Sequence, residues 1–116
     1  MDNSSGLDKD FVIEKVGWLT QRPGLEDDRD FLLLRFYTLA KFFQDEGLLT
    51  RTIASTLDQV SDDDEIRVGD LTEAGWVLMQ EGYPKWAKRV DRTQNATDTS
   101  VLVKALKKIR QQTKQA

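Results

Sequence analysis

The longest apolar run in the chain is Phe31-Leu32-Leu33-Leu34-Arg35-Phe36-Tyr37. Around it, Leu32, Phe36, Leu39 and Phe43 repeat at 4-3-4 spacing, and Leu33, Tyr37, Ala40 and Phe42 widen the stripe. That spacing predicts a helix over 26–46 that is apolar on most sides and forms the centre of the domain. Glu26, Asp27 and Asp28 place negative charge at its positive end, and Gly47 stands where such a helix ends. Upstream, Phe11, Val12, Val16 and Leu19 recur near helical spacing and predict a helix over 8–20 capped by Asp8, weakened by Gly17. A turn follows at 21–24. Downstream, 48–60 fits two patterns: a helix through Leu49, Ile53, Leu57 and Val60, or a strand and turn favoured by Thr50, Thr52, Ser55 and Thr56. Residues 61–65 read as a solvated acidic loop and 66–68 as a short extended piece.

The remainder is helical in pattern. Asp70 and Glu73 have capping-box spacing ahead of Leu71, Ala74, Val77, Leu78 and Met79. Gly82 and Pro84 then predict a kink near 82 or a new helix from Pro84, since proline is accepted in a first turn and excluded from a helix interior. Trp86, Ala87 and Val90 form the apolar side of that segment, and residues 92–97 form a polar linker. Asp98 or Thr99 caps a last helix over 99–113, with Val101, Leu102, Ala105, Leu106 and Ile109 as its stripe. The expected fold class is all-α: four or five helices around a buried central one, in a single domain over 8–114 behind a disordered lead at 1–7. A short β-hairpin near 48–53 and 65–68 is the alternative, and would make the class α+β.

Charge divides the 116 residues unevenly. Residues 1–84 carry 18 acidic and 8 basic side chains; residues 85–116 carry 2 and 9. The formal net charge of −3 therefore covers either mutual neutralisation or two charged surfaces meeting different partners. Cysteine and histidine are both missing, which excludes disulfides, thiolate chemistry, a histidine base and histidine metal ligation. No apolar stretch approaches the roughly 20 residues that span a bilayer. The acidic first ten residues are unlike a signal peptide, so the expected location is the cytoplasm with no membrane contact.

Catalytic motifs are missing too. There is no Gly-x-Ser-x-Gly, no phosphate-cradling glycine loop and no EF-hand order among Asp58, Asp62, Asp63, Asp64 and Glu65. The carboxylates at the start of the central helix are explained by its dipole. No enzyme activity, metal or cofactor is expected. Among the aromatic residues, Tyr83 and Trp86 beside basic neighbours are the interface candidates, with core packing as the commoner fate of a tryptophan.

Two stretches are similar to winged-helix regulators: Glu46-Gly47-Leu48-Leu49-Thr50-Arg51, like the segment leaving their recognition region, and Leu71-Thr72-Glu73-Ala74-Gly75, like the helix start after the wing. The resemblance covers about a dozen residues. The chain departs from that pattern where it matters. The helix before Gly47 is too apolar for a groove, and Asp62-Asp63-Asp64-Glu65 would bring negative charge to phosphates.

The expected function is non-catalytic binding of another, basic protein, in the manner of bacterial immunity or antitoxin-type inhibitors that mask a nuclease-like partner. Asp27, Asp28, Asp62, Asp63, Asp64 and Glu65 supply the acidic surface. The alternative is a winged-helix-like regulator that binds nucleic acid through Lys104, Lys107 and Lys108 in the basic last third.

Overall fold

The computed structural model describes residues 9–20, 28–53 and 55–115. The expected lead at 1–7, the Asp8 cap, the turn at 21–24 and the acidic residues Glu26 and Asp27 lie outside them. The fold is mainly helical with one small antiparallel sheet. In chain order it runs β1 (Val12–Lys15), α1 (Val16–Thr20), α2 (Arg29–Asp45), a 3-10 turn (Leu57–Gln59), β2 (Glu65–Arg67), a second 3-10 turn (Val68–Asp70), α3 (Glu73–Glu81), α4 (Tyr83–Thr93) and α5 (Ser100–Gln115).

The central helix forms as its pattern predicts. Leu32, Phe36, Leu39, Ala40 and Phe43 are buried along α2. Its end is a Schellman motif. Gly47 adopts φ +72, its N–H donates to the Gln44 carbonyl at 3.1 Å, and the Leu48 N–H donates to the Phe43 carbonyl at 2.8 Å. Gly82 serves two helices: its N–H closes α3 on the Leu78 carbonyl (2.7 Å), and its carbonyl accepts from Trp86 N–H (3.0 Å) at the start of α4. Pro84 sits in the first turn of α4, the position it tolerates.

The N-terminal segment is not the single helix expected over 8–20. It divides into β1 and the five-residue α1. Val12, Ile13 and Val16 are β-branched, and pairing with Glu65–Arg67 satisfies a backbone that so short a helix interrupted by Gly17 would leave open. Residues 65–67 do form a strand, but the expected hairpin partner at 48–53 contributes only an isolated bridge, Leu49 to Leu71. The helical reading of 48–60 likewise survives only as the Leu57–Gln59 turn.

The cap of α3 also differs from expectation. Thr72, rather than Asp70, caps it, its hydroxyl accepting from Gly75 N–H at 3.1 Å. Asp70 instead closes the preceding 3-10 turn by accepting from Arg67 N–H at 2.9 Å. Helix α3 packs on α4 and α5, and α1 packs on α2. One continuous core runs through all of them from Val16 and Phe36 to Trp86, Leu102 and Ile109. No helix is long and apolar enough to cross a membrane, among the described residues.

Candidate functional site

Position in the chain does not bring Asp28, the acidic loop and α1 together; the backbone does. The first N–H groups of a helix lack intrahelical partners. In α1 they are used on the acidic loop, where Val16 N–H donates to the Asp64 carbonyl and Gly17 N–H to the Asp62 carbonyl, both at 3.0 Å. Asp64 then folds the loop on itself, accepting from Ser61 N–H at 2.9 Å while its own N–H donates to the Ser61 carbonyl at 3.1 Å. Across the way, Arg29 in the first turn of α2 reaches Asp62 at 3.1 Å. That ion pair sets Asp28 and α2 beside the loop.

The loop carboxylates therefore differ in role. Asp64 and Glu65 are half-buried, Glu65 pairing with Arg67 and with Lys15 at 3.8 Å. Asp62 is held by Arg29, and Asp28 and Asp63 are exposed. Behind the loop lies a polar cleft of about 410 Å³ lined by Arg51, Asp63, Asp64, Glu65, Arg67 and Asp70. Arg51 grips Asp70 with two nitrogens (2.8 and 3.1 Å) and donates to the Glu65 carbonyl at 2.9 Å. Partial burial works against the Asp70 carboxylate, but hydrogen bonds from Arg51 and from Arg67 N–H outweigh it and hold its pKa below the usual value. The same bond raises the pKa of Arg51. The acidic loop is thus a fixed shape in which part of the charge is already compensated.

Trp18 belongs to this edge. It follows Gly17, the residue bonded to Asp62, and is 51 % exposed. The sequence pattern pointed elsewhere for exposed aromatics, to Tyr83 and Trp86. Trp86 is completely buried; its indole N–H donates to the Asp98 carbonyl at 2.8 Å, so it is a core residue and cannot anchor a partner. Tyr83 is half-buried, its hydroxyl donating to the Glu14 carboxylate. Burial, then the Glu14 charge, push the Tyr83 phenol well above its ordinary pKa, against the opposing effect of Arg35. Arg35, itself buried, lies 5.8 Å over the Trp86 ring, and its Nε has no hydrogen-bond partner among the described residues. This Glu14–Tyr83–Arg35–Trp86 group ties β1 to α2 and α4 inside the core. No signal in the spacing separated Trp18 from Trp86: strand alternation through Glu14 and Val16 would have turned Trp18 to the core, and it is the change from β1 to α1 at Val16 that leaves it exposed.

Lys104, Lys107 and Lys108 are all exposed on α5. No group of three or more metal-ligating side chains is found among the described residues. No family model, curated protein or solved structure matches the chain.

Proposed function

We propose that the protein is a non-catalytic binding module that meets a basic protein through the edge formed by Trp18, Asp28, Asp62 and Asp63. The observation that carries this reading is the exposed Trp18 set beside a rigid acidic loop. Interfaces draw most of their energy from a few residues, tryptophan prominent among them, surrounded by a polar rim. A loop already fixed by α1 and Arg29 loses little freedom on docking. Asp28 and Asp63, exposed and in no ion pair among the described residues, supply negative charge that steers a basic partner. A basic nuclease masked by an immunity or antitoxin-type inhibitor is the partner class this chemistry suits.

The test is comparative capture from the native host's lysate with the wild-type chain, Trp18→Ala and Asp63→Lys. The expected result is a basic protein held by the wild type at moderate salt and lost with both variants. Once purified, that protein should bind Trp18→Ala at least about 30-fold more weakly, the scale of a hot-spot residue. An unchanged set of captured proteins across the three baits overturns the proposal.

A further inference from the structure

Among the described residues, most cations ahead of α4 pair with a carboxylate, Lys9 and Arg35 excepted, and most on α4 and α5 do not. Lys15, Arg29, Lys41, Arg51 and Arg67 each contact a carboxylate. On α4 and α5, among the described residues, Arg89 pairs with Asp98 and Arg110 with Glu46. Lys85, Lys88, Arg92, Lys104, Lys107 and Lys108 make no ion pair among the described residues. The expected neutralisation of the basic third by the acidic two-thirds is thus reduced, among the described residues, to one bridge, Arg110 to Glu46 at 2.9 Å.

The unpaired cations fall on one side of each helix, and Lys85 meets Lys104 and Lys108 across the groove between them. Lys85, Lys88 and Arg92 follow i, i+3, i+7 on α4, and Lys104, Lys107 and Lys108 follow i, i+3, i+4 on α5. A groove of about 310 Å³ joins the helices, with Lys85, Lys104 and Lys108 around Val101 and Ala105 and a single acid, Glu81. A second hollow is lined by Lys104, Lys107, Thr99 and Ser100 together with the exposed Val103 and with Asp98, whose carboxylate pairs with Arg89.

We infer that the α4–α5 face binds the phosphate backbone of a nucleic-acid duplex without reading its bases. Lysine is depleted from protein–protein interfaces, and this face offers no exposed aromatic anchor, because Trp86 is buried and Tyr83 is turned to Glu14. The same lack removes the stacking platform that single strands use. A bilayer would need an exposed apolar helix face, whereas the α5 stripe of Leu102, Leu106 and Ile109 is in the core. A duplex backbone needs only spaced positive charge. The inference is independent of the acidic edge.

The test is fluorescence anisotropy with a labelled DNA duplex of scrambled sequence and a matched RNA duplex, at low and rising salt. The wild type is expected to bind at least one duplex at low salt, with affinity falling steeply as salt rises. Lys104→Glu/Lys107→Glu/Lys108→Glu, checked for an unchanged circular-dichroism melt, is expected to lose more than about tenfold in affinity, and Lys104→Gln/Lys107→Gln/Lys108→Gln to flatten the log–log salt slope by about 2.7. Lys9→Glu, a cation off this face, is expected to retain binding. Absence of binding to both duplexes at low salt, binding indifferent to salt or to the triple substitution, or equal binding of polyglutamate would overturn it.

Discussion

Single residues decide which aromatic meets solvent and which holds the core. Trp86 is enclosed and its indole N–H is spent on Asp98, so Trp86→Ala should cost about 3–5 kcal/mol of stability, measured by urea unfolding. Trp18 should be the tryptophan most open to acrylamide, and Trp18→Phe should remove most of the quenchable emission. Asp98 gives a sign-defined pH effect. Hydrogen bonds from Ser100, then from Arg89, lower its pKa from 3.8 to about 2. A carboxyl lowered on folding stabilises the fold above its unfolded pKa and loses that contribution as pH falls through the folded value. The urea-midpoint gap between wild type and Asp98→Asn should be constant at neutral pH and close between about pH 4 and pH 2. Asp70 acts in the same direction through Arg51.

At the scale of elements, α2 and α5 were legible because their stripes repeat over several turns and packing reinforces the pattern. The Gly82–Pro84 break was legible because proline leaves few alternatives. The strand at 12–15 was not, since Val12 and Val16 suit helical spacing as well as strand alternation and only pairing with residues 65–67 decides. Nor was the Thr72 cap, because Asp70 is drawn away by Arg51 and Arg67. For the site, the acidic residues were visible as a run, but their division into compensated and exposed groups depends on Arg29 and Lys15 arriving from α2 and β1, and on β2 bringing Arg67 back to Glu65.

Between α2 and the acidic loop, the backbone at Ser55 is held against α2, where the Tyr37 hydroxyl donates to the Ser55 carbonyl at 3.3 Å. Close packing of α3 supplies the element-scale prediction. A Cβ on Gly75 would stand 2.5 Å from the Leu48 carbonyl oxygen, so Gly75→Ala should destabilise by about 1–3 kcal/mol despite its better helix propensity, read from the thermal melt.

For the whole molecule, net charge describes little, because the balance is struck between elements that scarcely pair with each other. The C-terminus of α2 is where they meet. Arg110 reaches both the side chain and the backbone carbonyl of Glu46, each at 2.9 Å, at the turn that ends in Gly47. Arg110→Ala should leave α5 folded on its buried stripe and cost no more than about 1 kcal/mol, as exposed pairs do, measured by urea unfolding.

The segregation of paired and unpaired cations has a practical corollary for purification. From a pI near 5.0, one would load this protein on an anion exchanger at neutral pH and discard a cation exchanger. With its lysines gathered on α4 and α5, it should adhere to both resins at low ionic strength, turned a different way on each. On the cationic resin the lysine face would be left toward the buffer, and on the anionic resin Trp18 and its acidic neighbours would remain accessible.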